Sequence, residues 1–217
     1  MKTLLIVRSG AICALLGVVV LTAMMFVGLP AAEGMAVLGQ ATAPEAFAAS
    51  IRPVARVILL AMALDNIFVI AYSGAFIGAT ALVWRRARLW GMVGLAFALI
   101  LALLDLGENA VTVTLAQSAL SAAPIAPAHI FLLGFLTQIK FASGGLAVAF
   151  IAIALLIFRP KNYPLIVGTA VLYLLFPILN GIATVKPAAQ MLLIVGMWLM
   201  LLLSAPLLWR YAPYAEE

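Results

Sequence analysis

The sequence predicts an all-α membrane protein, a bundle of six transmembrane helices in a single domain over residues 1–217. Three observations favour this class. Of the 217 residues, 67% are hydrophobic and 9% are charged, whereas soluble domains carry roughly 25% charged residues. Apolar runs of about 20 residues recur along the chain, and each is long enough to cross the ~30 Å hydrocarbon core as a helix. Most of the basic residues fall between these runs.

Six helices are predicted, with proline or arginine at the connections between them, because proline ends helices and arginine is costly in lipid. They cover residues of about 5–28, 54–83, 89–116, 129–158, 163–184 and 188–209. The outer loop 29–53 is the only connection long enough for a further helix, and its stretch PEAFAASIRP is a candidate interfacial helix.

The N-terminus resembles a signal peptide, since Lys2 precedes an apolar run. However, Arg8 interrupts its start, and the run of about 18 residues is longer than the usual signal core of about 7 to 15. We therefore interpret this segment as a first helix that stays in the protein.

The basic residues are distributed unequally between the two sides of the predicted bundle. Eight of the twelve lie on the side of the N-terminus, three on the other side, and Lys140 within a span. Because cytoplasmic loops are enriched in Lys and Arg, both termini are predicted to be cytoplasmic. Five aromatic residues would form a belt at the same inner interface: Trp84, Trp90, Tyr163, Trp209 and Tyr211.

Four ionisable residues fall inside the predicted spans. Asp65, Asp105 and Lys140 each lie 11 residues from the predicted outer end of their helix, or ~16 Å deep, and Glu108 lies ~12 Å deep. Each of these groups costs at least ~2.5–3.5 kcal/mol at a helix centre, so such side chains face the protein interior and seek partners. Three helices therefore place charges in one layer.

The polar residues of these helices follow helical periodicity, so each set lies on one face. The stripes are Asp105, Glu108, Asn109 and Thr112 on the third helix; Thr137, Lys140 and Ser143, with Gly144 beside them, on the fourth; and Asp65 and Tyr72, with Asn66 adjacent, on the second. The predicted substrate- or ion-binding residues are Asp65, Asn66, Tyr72, Asp105, Glu108, Asn109 and Lys140.

Three carboxylates and one ammonium sum to −2 when all are ionised. A low-dielectric site does not hold that imbalance, so either acids are protonated, a cation binds, or water reaches the group. A structural role, in which the same residues only join helices, is the alternative interpretation.

Several classes of function are excluded or disfavoured. The single Cys13 and single His129 exclude a Cys-based or His-rich metal or haem site, and no metal site or cofactor is identified. The chain contains no G-x-S-x-G, H-E-x-x-H, Walker A or G-x-G-x-x-G motif, which disfavours a standard hydrolase or nucleotide-dependent enzyme. The net charge of +5 is scattered between apolar runs, so nucleic-acid binding is not predicted.

Weaker features have simpler interpretations. The G-x-x-x-G pattern of Gly74 and Gly78 predicts close helix packing. His129 is expected at a helix end near the outer surface. Pro177 is expected to kink the fifth helix, and Asn180 is a candidate lining residue of an outer cavity.

The segment LDNIFVIAYSGAF, then DLGEN, then an intramembrane lysine resembles a pattern of multi-pass bacterial inner-membrane proteins of uncharacterised function. The resemblance covers residues of about 60–145 and includes the D-x-x-E-N motif of Asp105, Glu108 and Asn109. It implies a multi-pass location in the bacterial inner (plasma) membrane and transfers no activity.

The leading functional hypothesis is a carrier or channel-like protein that binds a small cation or polar solute, with or without proton coupling. Asp105 or Glu108 would accept the proton, and Lys140 would be the switchable counter-charge. One alternative is an accessory subunit of a larger membrane complex, with membrane-protein partners or a second copy of the chain. The other is an intramembrane enzyme acting on a lipid or isoprenoid, with Asp65 and Glu108 as acid and base.

Overall fold

A computed structural model describes residues 2–29, 38, 43–158, 164–185 and 190–215, without the side chains of 179–185 and 190–192. Tyr163 of the predicted aromatic belt and the side chain of Asn180 therefore lie outside the described residues. So do the charged residues Glu33, Arg159, Lys161, Lys186, Glu216 and Glu217.

The described chain is helical and contains no strand. The helices are α1 (Lys2–Gly28), α2 (Pro44–Ile51), α3 (Ala55–Leu120), α4 (Pro127–Phe158), α5 (Pro164–Val185) and α6 (Gln190–Tyr211), with short 3-10 turns at Arg52–Val54 and Ala212–Ala215. Prolines occupy the first positions of α2, α4 and α5, where the absent N–H group breaks no helical hydrogen bond. The prediction of an all-α chain is confirmed.

Among the described residues, four helical stretches are long and apolar enough to cross a membrane, which suggests a membrane location. They are Lys2–Gly28, Pro44–Leu120, Pro127–Phe158 and Leu193–Ala215, and Pro164–Ile178 is a shorter apolar helix.

Helix α3 is a hairpin of two helical arms, residues 55–86 and 88–120. Its backbone leaves helical geometry at Ala87, with φ −139° and ψ 39°. The Thr80 hydroxyl donates to the Gly91 carbonyl at 3.3 Å, although residues eleven apart would be ~16 Å apart on a continuous helix. The turn predicted around Arg85, Arg86 and Arg88 is thus present, but it takes one residue instead of a loop.

The described residues group into two compact units, and the single domain stays a prediction. Unit 1 comprises Met1–Val19, Ile70–Leu101 and Phe141–Glu217, and unit 2 comprises Val20–Val69 and Ala102–Lys140.

Close contact between α1 and the first arm of α3 organises unit 1. A Cβ atom placed on Gly10 would lie 2.6 Å from the Gly78 Cα, and one on Gly74 would lie 2.5 Å from the Cys13 Sγ. Only glycine allows such backbone approach, as the G-x-x-x-G pattern predicts. The surrounding core includes the fully buried Leu82, Ile151 and other apolar side chains.

Helix α2 closes the apolar core of unit 2. Its Phe47 and Ile51 are fully buried in one cluster with Ile58, Leu115 and Leu133. This helix lies inside the PEAFAASIRP stretch, and its position at a membrane surface stays a prediction.

The second arm of α3 ends in a capped turn. Ala122 adopts the left-handed conformation (φ 55°), and the Ala123 N–H donates to the Ser118 carbonyl at 2.9 Å. This is the Schellman arrangement, in which a residue beyond the helix satisfies an open carbonyl of the last turn. Arg52 Nε donates to the next carbonyl, that of Ala119, at 2.8 Å. The cap fixes where this arm ends and therefore the depth of the polar residues on it.

Candidate functional site

The candidate site lies within unit 2, where three helical segments bring polar side chains together. The first arm of α3 contributes Asp65 and Asn66, the second arm contributes Asp105, Glu108 and Asn109, and α4 contributes Thr137 and Lys140. We call these seven residues the buried cluster. Helical spacing explains the second arm's share, since positions three and four apart lie on one face.

Lys140 joins the two acids of the second arm. Its ammonium Nζ lies 3.0 Å from Asp105 Oδ1 and also contacts Glu108 Oε2. Asp105 and Glu108 are three residues apart, so a single side chain from α4 reaches both. One ammonium therefore serves two carboxylates.

Thr137 lies one helical turn before Lys140 and holds the other oxygen of Glu108. Its hydroxyl donates to Glu108 Oε1 at 2.6 Å. The polar stripe of α4 includes this residue, but the predicted set of binding residues does not. Its three-residue spacing from Lys140 was the signal that could have identified it.

Asn109 links the two arms of α3. Its side-chain amide donates to Asp65 Oδ2 at 2.7 Å and to Asn66 Oδ1 at 3.0 Å. A primary amide has two N–H donors, so both are used here. Asn109 is only 4% exposed, so the donor of both bonds is buried.

Burial is uneven across the buried cluster. Asp105 is 5% exposed, whereas Asp65 is half-buried and Asn66 is exposed. The side chains of Lys140 and Glu108 are 17% and 15% exposed. The buried cluster is therefore most enclosed around Asp105 and reaches the surface of the unit at Asn66.

The charges of the buried cluster do not balance. It contains three carboxylates and one ammonium, and the described salt bridges of Lys140 are with Asp105 and Glu108. Within the described residues Asp65 makes no salt bridge, and Asn109 is its one hydrogen-bond donor. A carboxylate in such surroundings is neutralised by a proton or accompanied by a cation.

Among the residues that the structure describes, no group of three His, Cys, Asp or Glu side chains is arranged to hold a metal ion.

The remaining residues of the predicted stripes are placed differently. Tyr72 belongs to unit 1, where its ring meets Phe76 edge-on at 6.4 Å between centroids, and its part in the site stays a prediction. Ser143 and Gly144 also belong to unit 1. Thr112 is 2% exposed within unit 2. His129 is exposed in the first turn of α4.

No protein-family model, curated protein or solved structure matches this chain. Its function is therefore argued from the contacts of the buried cluster.

Proposed function

We propose that this chain is a membrane carrier or channel-like protein whose buried cluster binds a proton or small cation, which it couples to the movement of a cation or polar solute. The observation that carries the proposal is a cluster of three carboxylates and one ammonium between apolar helices, in which the described salt bridges of the ammonium are with two of the three acids. A site with this imbalance gains stability when it takes up positive charge.

The energetics favour function over a purely structural role. Interhelical polar contacts in membranes stabilise by about 0.6 kcal/mol on average. Each ionisable residue at a helix centre costs at least ~2.5–3.5 kcal/mol. Serine, threonine and asparagine could join the same helices at a smaller cost, so four ionisable residues are expected to serve a further purpose.

We assign different parts to the members of the buried cluster. Lys140 contacts both Asp105 and Glu108, and these three form the fixed part of the site. Asp65, which has only an amide donor, is the group that takes up the proton or cation. This assignment replaces Asp105 or Glu108 as the proton acceptor, because both of those acids already contact the ammonium.

We also propose the finer topology. The two arms of α3 each cross the membrane, and α1, α4, α5 and α6 supply the other four of six spans. Both termini face the cytoplasm of a bacterial cell, and the membrane is the inner (plasma) membrane. The supporting observations are the break at Ala87 and the excess of basic residues on the N-terminal side.

The test is ion movement in vesicles. The purified full chain is reconstituted with a trapped pH-sensitive dye, and sodium, potassium or electrical gradients are imposed in turn. We expect proton movement driven by one of these gradients, and a loss of at least about tenfold in Asp65→Asn, because the neutral amide cannot take up the proton; a tenfold loss corresponds to about 1.4 kcal/mol. Glu45→Gln removes an equal charge from an exposed position of α2 and is expected to leave the flux unchanged.

Two results would contradict the proposal. One is a native chain that gives no more flux than empty vesicles under every gradient. The other is flux that Asp65→Asn and Lys140→Met leave intact while both variants lose thermal stability, which would assign the buried cluster a structural role only.

A further inference from the structure

Unit 1 carries a group of basic residues that are not part of the buried cluster. Its described residues include six basic side chains and no Asp or Glu, since the only acids within its ranges are Glu216 and Glu217. All six are exposed, and we call them the basic end: Lys2, Arg8, Arg85, Arg86, Arg88 and Arg210.

Helix register places α1 and the hairpin turn at the same level. Gly10 lies against Gly78 and Gly74 lies against Cys13, so α1 and the first arm of α3 run antiparallel. Eight residues before Gly10 is Lys2, and eight residues after Gly78 is Arg86, so this register makes Lys2 level with Arg86. The start of α1 therefore lies beside the turn that carries three arginines.

The other helices of unit 1 end at the same level. Gly94 lies against Ile151, and seven residues further in that register the turn at Ala87 meets Phe158, the last residue of α4. Arg86 Nη1 donates to the Phe158 carbonyl at 3.1 Å. The C-terminus of α4 is thus held at the basic end.

Helix α6 brings in the last arginine. Gly17 lies against Leu201, and the Arg8 guanidinium lies 5.1 Å from the centre of the Trp209 ring. These two contacts show that α1 and α6 pack antiparallel. Arg8 is therefore level with the last turn of α6, which contains Arg210. Arg8 and Arg210 lie about five to six residues deeper than Lys2, or ~8–9 Å at 1.5 Å per residue.

Exposed tryptophans surround the charges. Trp84, Trp90 and Trp209 are 40%, 37% and 54% exposed. The Arg88 guanidinium lies 4.8 Å from the centre of the Trp84 ring. Arg8 makes the same kind of cation–π contact with Trp209. Tryptophan prefers the level of the lipid head groups, and guanidinium groups there are within reach of phosphate.

We propose that the basic end of unit 1 is a binding surface for the phosphate groups of anionic phospholipids. Charge complementarity carries the argument, because six cations share a surface whose described residues include no carboxylate. The three exposed tryptophans favour a lipid over a soluble polyanion as the ligand, since tryptophan side chains prefer the depth of the lipid head groups. Arginine binds phosphate through two parallel N–H···O bonds, which lysine does not offer. This surface does not depend on the function proposed for the buried cluster.

The experiment measures lipid preference through the protein's own tryptophans. The full chain is reconstituted in phosphatidylcholine vesicles that contain increasing fractions of brominated phosphatidylglycerol, or of brominated phosphatidylcholine as reference. We expect phosphatidylglycerol to quench fluorescence at severalfold lower fractions. Arg88→Gln is expected to remove most of this preference and Arg8→Gln/Arg88→Gln to abolish it, because one basic residue near an anionic surface contributes a factor of about five.

Three controls separate lipid binding from other effects. Arg56→Gln removes one exposed charge from unit 2 and is expected to keep the native preference. Arg8→Lys/Arg88→Lys keeps both charges but loses the paired N–H donors, so its preference is expected to lie between those of the native chain and of Arg8→Gln/Arg88→Gln. Inorganic phosphate, compared with chloride at equal ionic strength, is expected not to compete specifically.

Several outcomes would overturn the proposal. Equal quenching of the native chain by both lipids would remove the anionic preference. Equal loss in Arg56→Gln and Arg88→Gln would assign it to net charge rather than to the basic end. Competition by inorganic phosphate beyond the chloride control would indicate a small-anion site instead of a lipid surface. Circular dichroism of each variant establishes that a lost preference is not lost folding.

Discussion

At the scale of single residues, Asn109 and Lys140 hold the buried cluster together by different means. Asn109 donates both of its amide N–H groups to the first arm of α3, to Asp65 and Asn66. Lys140 contributes charge to Asp105 and Glu108. Substitution of Asn109 is therefore expected to destabilise the buried cluster through lost hydrogen bonds. Substitution of Lys140 is expected to destabilise it through uncompensated negative charge.

Asn109→Ala is expected to lower the free energy of unfolding by about 1–3 kcal/mol, because it leaves two acceptors without their donor. Asn66→Ala removes only one acceptor from an exposed position and should lower it by less than about 1 kcal/mol. Thermal unfolding in mild detergent compares the two variants. Equal effects would mean that the amide bonds of Asn109 do not stabilise the unit.

Lys140→Met is expected to lower the free energy of unfolding by about 3–5 kcal/mol, since it leaves two neighbouring carboxylates without their counter-charge. Adding Glu108→Gln to Lys140→Met removes one of those charges and should recover part of the loss. The same unfolding measurement gives the coupling between the two sites. A double variant less stable than Lys140→Met alone would contradict the charge argument.

At the scale of the helices, close approach at glycine decides the packing. Gly78 faces the backbone of Gly10, so an added methyl group has no flexible neighbour to displace. Gly134 in α4 has open space around its Cα, with no atom within 4 Å of an added Cβ. Gly78 is therefore needed for close helix packing, whereas the space at Gly134 would accept a larger residue.

Gly78→Ala is expected to lower the free energy of unfolding by about 1–3 kcal/mol through overpacking against α1. Gly134→Ala should instead raise it by up to about 1 kcal/mol, because alanine is the better helix former. Melting temperatures of both variants in one detergent give the comparison. If Gly78→Ala were as stable as Gly134→Ala, the packing of α1 against the first arm would be wrong.

At the scale of the whole molecule, charge is segregated along the chain. The described acidic residues Glu45, Asp65, Asp105 and Glu108 all belong to unit 2, while the six residues of the basic end belong to unit 1. Helix α3 passes through both units, since its central residues 70–101 belong to unit 1 and its two ends to unit 2. Sidedness in the membrane can therefore be tested along one helical hairpin.

A six-span topology predicts alternating sides for single cysteines introduced after Cys13→Ala. Ser50→Cys, Ala123→Cys and Lys186→Cys should react with an impermeant maleimide applied to intact bacteria. Arg88→Cys should react only after the cells are permeabilised, because the proposed topology has this turn in the cytoplasm. Labelling of Arg88→Cys from outside would reverse the orientation, and protection of Lys186→Cys would remove the last pair of spans.

The sequence by itself determined the helices and the polar residues that they carry. Apolar runs and prolines placed α1, both arms of α3, α4, α5 and α6 within a few residues of their observed bounds. Helical spacing grouped Asp105, Glu108 and Asn109 on one face, and counting from the helix ends placed Asp65 and Lys140 at a similar depth. These are local properties, since each depends on the residues of one segment only.

Only the tertiary structure decided which of these groups meet. Periodicity gives the face of each helix but not its rotation and axial position against a neighbour, which depend on contacts such as Gly10 with Gly78 and Arg52 with Ala119. For this reason the sequence could not assign Asn109 to Asp65 and Lys140 to the other two acids, or add Thr137 to the site. The single-residue turn at Ala87 and the division into two units depend on the same contacts between segments distant in sequence.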